Sequence, residues 1–125
     1  MPITTTIDHD RQLTIHTVAG KPPFEELMTT LKQFWEDQPT MNLLWDLTKA
    51  SLVHLTYSEA RKIIDYVRPH TEKRAGGKTA LVSPSDLEYG VSRQIKSLRE
   101  FQHPSNQLEV FRSIEEANQW IDDEN

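Results

Sequence analysis

Asp46, Thr48, His54 and Thr56 stand close together in the chain, directly after the apolar run Leu43-Leu44-Trp45. Ser85, Tyr89 and Arg93 follow a second short apolar run, Ala80-Leu81-Val82. A carboxylate and an imidazole at the end of a strand invite general acid–base work. The free N–H groups at two helix N-termini can hold an anion between them. Each residue also has a plainer role: Asp46 can bond loop N–H groups, and Thr56 and Ser85 stand where helix caps stand. The chain has no cysteine and no serine in a nucleophile-elbow setting, so thiol catalysis is excluded and the serine-hydrolase signature is missing. The five histidines show no metal-ligand spacing, and neither a metal nor another cofactor is expected. Asp46, Thr48, His54, Thr56, Ser85, Tyr89 and Arg93 are therefore read as a site for an anion or small ligand, with no enzyme activity expected.

The elements that must position these residues alternate regularly. Ile3–Ile7 and Leu13–Val18 are alternating, β-branched runs around the turn cluster Asp8-His9-Asp10, and they read as an antiparallel hairpin. After Pro22-Pro23, the residues Phe24, Leu27, Met28, Leu31, Phe34 and Trp35 recur at helical spacing, and Gln38-Pro39 stops the helix. Met41–Trp45 suits a strand covered on both faces, with Asp46 at its carboxyl end and a polar connection from Leu47 to Leu55. That is the edge where open α/β sheets usually bind ligands.

Three capping boxes punctuate the rest: Thr56 with Glu59, Ser85 with Glu88, and Ser113 with Glu116. The helices they open place Ala60, Ile63, Ile64 and Val67, then Leu87, Val91, Ile95, Leu98 and Phe101, then Ile114, Ala117, Trp120 and Ile121 inward. Pro69 ends the first of these helices. Lys78–Val82 and Leu108–Phe111 are strands, Gly76-Gly77 is a flexible connection, and His103-Pro104-Ser105-Asn106 is a loop. The order β-β-α-β-α-β-α-β-α predicts one α/β domain over 1–125. It has a single-layer mixed sheet, an antiparallel N-terminal hairpin plus parallel strands, and four helices.

Composition narrows the partners. Residues 1–60 carry four Lys/Arg against eight Asp/Glu, residues 61–112 ten against six, and residues 113–125 five acids and no base. The net charge of −5 argues against nucleic acid. No apolar run is long enough for membrane insertion, and MPITTTIDHD shows neither the basic nor the apolar region of a signal peptide. Together with the lack of cysteine, this predicts a cytoplasmic protein. Arg93, Lys96 and Arg99 lie along the third helix and read as a solvated face. The alternative is that Arg93 and Lys96, which share a side with Tyr89, form a surface for an acidic partner or for the chain's own acidic tail. The acids Asp122-Asp123-Glu124 sit at a helix C-terminus, where the dipole disfavours them, and are expected to fray.

The arrangement resembles the SpoIIAA-like proteins, relatives of the STAS domains of anti-sigma factor antagonists and sulphate transporters. The resemblance rests on Trp45-Asp46-Leu47-Thr48, on Lys78–Val82 followed by Tyr89-Gly90 and Arg93, and on Val110-Phe111-Arg112-Ser113 leading into Glu116-Ala117 and Trp120. It implies a SpoIIAA-like or STAS-like fold and a small cytosolic regulatory module without catalytic activity, binding a partner protein or pairing as a homodimer. The alternative it implies is a carrier of a small apolar or anionic ligand, or a lipid, at the carboxyl ends of the central strands. In the antagonists a phosphorylatable Ser lies in Asp-Ser-Ser-Gly after the central strand. That segment falls near His54-Leu55-Thr56-Tyr57, where Thr56 carries the hydroxyl and the Asp, first Ser and Gly are missing.

Overall fold

A hairpin of β1 (Ile3–Asp8) and β2 (Leu13–Gly20) leads into α1 (Phe24–Glu36), β3 (Asn42–Ala50) and α2 (Tyr57–Val67). Then come β4 (Lys78–Val82), α3 (Asp86–Glu100), β5 (Gln107–Phe111) and α4 (Ile114–Asp122). The computed structural model describes residues 3–37, 39–83, 85–100 and 106–123, with the backbone alone for Leu87 and Glu88. The expected stop at Gln38, the inward Leu87 and Phe101, the Glu88 arm of the second capping box and the loop residues 103–105 lie outside this description. So do the last two residues of the tail. A 3-10 helix, Arg68–Arg74, is added where Pro69 ends α2, because proline cannot donate the next helical hydrogen bond.

The five strands lie in the order β1-β2-β3-β4-β5, antiparallel only between β1 and β2. Each right-handed crossover from β2 to β5 steps in the same direction, so α1, α2 and α3 all fall on one face of the sheet. There Leu27, Leu31, Phe34 and Trp35 of α1, with Ile63 and Val67 of α2 and Ile95 of α3, pack on Trp45, Leu47 and Leu81. After the last strand α4 turns to the opposite face, where Ala117 and Ile121 cover Leu13, Leu44, Ala80 and Val82. Strand residues alternate between the faces. Leu43, Trp45 and Leu47 of β3 therefore meet the three helices, while Leu44 meets α4.

One boundary differs from the sequence reading. The stretch Leu47–Ala50 is strand, not a polar connection, because β2 keeps pairing with it beyond a bulge between Thr17 and Ala19, through Ala19↔Lys49 and Gly20↔Ala50. Asp46 is thus in mid-strand rather than at the strand's end.

The caps follow their sequence signals in part. Thr56 Oγ1 accepts from the Glu59 N–H at 3.1 Å and Glu59 Oε1 accepts from the Thr56 N–H at 3.0 Å, a complete box. Ser113 Oγ accepts from the Glu116 N–H at 3.2 Å, but the Glu116 carboxylate turns to the Ser113 hydroxyl, giving half a box. At the other end of α4 the buried Lys78 ammonium donates to the carbonyls of Trp120 and Asp123. Arg11 holds both carboxylate oxygens of Asp122, at 2.9 and 3.1 Å. Asp122 and Asp123 are therefore tied down, against the expectation of fraying.

His16 is 2% exposed, wedged against Trp45 (centroids 4.4 Å apart) and Phe34 (5.9 Å). Its Nδ1 pairs with Thr5 Oγ1 at 2.9 Å, and its Nε2 has no partner among the described residues. Burial pushes its pKa down to about 4. The unfolded ring titrates near ~6.5, so the unfolded chain binds the extra proton between these two values. His16 should thus leave stability intact above about pH 6.5 and remove about 2–3 kcal/mol by about pH 4.5. Urea midpoints at pH 7.5 and 4.5 should fall further for the wild type than for His16→Gln. Equal falls would refute the assignment.

Candidate functional site

The residues singled out in the sequence do not come together as one site. By strand alternation Asp46 and Thr48 share the α4 side of β3 with Leu44. One oxygen of the Asp46 carboxylate, Oδ1, is engaged locally, accepting from the Thr48 N–H at 3.0 Å and the Thr48 hydroxyl at 2.6 Å. Thr56 and Arg93 line an open groove of about 500 Å³ between α2 and α3, on the opposite side of the sheet. His54 is exposed and its Nε2 lies 2.7 Å from the Pro22 carbonyl oxygen, so no hydrogen bond joins it to Asp46. Tyr89 sits beneath the Arg112 guanidinium, 4.5 Å from ring centroid to carbon. Ser85 is exposed, and its carbonyl accepts the Tyr89 N–H at 2.8 Å as α3 begins.

Their separation has a topological reason. A ligand crevice opens at the carboxyl edge of a sheet where strand order reverses and neighbouring helices part to opposite faces. Here β2 to β5 follow in sequence, α1 to α3 stay side by side, and no such reversal occurs among the described strands.

A second space, smaller and more apolar, lies beneath those helices. A cavity of about 130 Å³ sits between the sheet and α1, α2 and α3, walled by side chains such as Trp35, Trp45, Leu47, Ile63, Leu81 and Ile95. Its polar lining comes from Arg68, Thr71, Arg74, Thr79, Arg99 and Asn106, and none of the lining residues is acidic. These polar residues gather at the amino ends of β4 and β5, the edge opposite the one the sequence pointed to.

Arg74 is 1% exposed and is held by neutral oxygens. Nε donates to the Thr40 carbonyl at 2.9 Å, Nη2 to those of Met41 (2.9 Å) and Lys78 (2.8 Å), and Nη1 to Thr79 Oγ1 at 2.8 Å. Its guanidinium also stands 5.3 Å from the ring centroids of both Phe34 and Trp35. Arg99 is 8% exposed, and its Nη2 donates to the Asn106 backbone carbonyl at 2.8 Å and to the Asn106 side-chain oxygen. Asn106 Nδ2 in turn donates to the Thr71 carbonyl at 3.2 Å.

Burial, and then the neighbouring Arg99 charge, push Arg74 down to about 9. Burial pushes Arg99 down to about 10, with Glu100 pulling it back up. Both stay cationic at neutral pH. The backbone of this corner is equally specific: a Cβ on Gly77 would lie 2.0 Å from the Met41 carbonyl oxygen, so Gly77 is a close-approach residue and not merely a flexible link.

Sequence reasoning passed over this corner. Arg99 carried a readable signal, since it falls four residues after Ile95 and eight after Val91, on the buried stripe of α3 rather than on its solvated side. Arg74, in the 3-10 helix, carried none.

Compared with protein-family models and with curated proteins, the chain matches none. Among the described residues no helix is long and apolar enough to cross a membrane, and no group of three His, Cys, Asp or Glu could hold a metal ion. Fold and site together define an α/β protein with a mixed five-stranded sheet and an interior cavity that is apolar along its walls and cationic in its polar lining.

Proposed function

We propose that this chain is a non-catalytic binding module of the SpoIIAA-like, STAS-related kind, and that it takes a small, mainly apolar ligand between the sheet and α1–α3. One observation carries the reading: the cavity of about 130 Å³. Protein interiors pack at crystal density with few voids larger than a water molecule. This cavity compares with the ~150 Å³ apolar cavity that takes up benzene in an engineered lysozyme. Benzene-sized solutes should therefore raise the melting temperature in a saturable way. Ile95→Phe, which fills the space from α3, should itself melt higher and lose the response. A wild type indifferent to every such solute would end the reading.

A second reading, an interaction module that takes a partner protein or a second copy of itself, has one observation in its favour. Tyr57 is 68% exposed beside the groove of Thr56, Ala60, Arg93 and Gln94. If this face is used, Tyr57→Ala should weaken self-association in sedimentation equilibrium. A monomer at every concentration, in wild type and variant alike, would leave self-association through this face without support.

A further inference from the structure

We propose that the ligand of the cavity is a small organic acid, with its apolar body against Trp35, Trp45 and Leu81 and its carboxylate at Arg99. The inference rests on the ligand-binding reading and adds the chemical class. Among the described residues three arginines line the cavity and no acid does. Arg74 and Arg99 are close enough to depress one of the pair electrostatically. The ion pairs formed among the described residues engage Arg11, Arg61, Lys96 and Arg112, and none engages Arg68, Arg74 or Arg99. The acid that acts on Arg99 is Glu100, exposed and next to it in sequence; on the cavity side the two buried guanidiniums repel each other, and an anion seated there would relieve that repulsion.

The two buried guanidiniums differ in what they can still do. Arg74 spends all three nitrogens on the backbone of Thr40, Met41 and Lys78 and on Thr79, and so it braces the corner and supplies positive potential. Among the described residues both hydrogen bonds of Arg99 leave from Nη2 and end on the single residue Asn106. A planar carboxylate matches the guanidinium fork. The volume sets the body at about the size of a benzene ring or a branched four- to six-carbon chain. A phosphate, larger and more heavily hydrated, would leave little room for the apolar part the walls call for.

The test titrates the full-length protein with matched pairs: benzoate and benzyl alcohol, 3-methylbutanoate and 3-methylbutan-1-ol. Binding is read at pH 7 by ligand-observed NMR and by melting temperature. Each acid should bind at least tenfold tighter than its alcohol, and Arg99→Gln should bring acid and alcohol to the same affinity. Alcohols that bind as tightly as acids would overturn the assignment of an acid while leaving the cavity reading intact. If neither member of any pair binds, both readings fall. Because the acid–alcohol comparison is made on the wild-type protein, a poorly folded Arg99→Gln variant does not blunt it.

Discussion

Gly77→Ala should destabilise the fold by about 3 kcal/mol or more, among the largest effects of any single methyl added to this chain. The new Cβ would lie 2.0 Å from the Met41 carbonyl oxygen and 3.0 Å from that of Arg74, and both obstacles are backbone rather than the tip of a flexible side chain. Met41 O is also an acceptor for Arg74. Any shift that relieves the clash therefore pulls the 3-10 helix off the start of β3. Gly76 next to it has φ of 84° and open space where its Cβ would stand. Gly76→Ala should cost only the left-handed penalty of about 1–2 kcal/mol. Urea denaturation of the two variants separates the cases, and equal losses would mean that the approach of Gly77 to Met41 is not what holds this corner.

Arg74→Met should cost about 3 kcal/mol, even though it removes a buried charge. The side chain keeps its bulk against Phe34 and Trp35, so the loss measures the donors. The carbonyls of Thr40, Met41 and Lys78 and the hydroxyl of Thr79 lose the guanidinium that now satisfies them. Each buried acceptor left without a donor is worth about 1–3 kcal/mol, and the relief of burying one less cation offsets part of the sum. A variant as stable as the wild type would show that the guanidinium's desolvation cancels its hydrogen bonds. The corner would then be kept for its charge alone.

Local signals carried most of the fold. Strand alternation, the helical stripes and the box at Thr56 each name their element correctly, because short-range physics decides them. What the sequence hid was set by long-range geometry. The extension of β3 to Ala50 depends on β2 pairing across a bulge, which no local pattern announces. The candidate ligand residues were chosen from a rule about carboxyl edges that holds when strand order reverses, and this sheet runs in sequence. Asp46 looked available because mid-strand and strand-end positions read alike, yet it closes on Thr48 within its own strand. Arg74 was unreadable for the opposite reason: arginine is expected at the surface, and that same expectation hid Arg99 even though its spacing put it on the buried stripe of α3.

The most direct measurement is a titration of the protein with benzoate, followed through the three tryptophan indole N–H signals in proton–nitrogen correlation spectra. Trp35 and Trp45 wall the cavity, while Trp120 lies on the far side of the sheet beside Phe111. A ligand seated between the sheet and the helices should move Trp35 and Trp45 along saturable curves and leave Trp120 in place. Three tryptophans that drift together in proportion to concentration, or none that moves, would contradict the account.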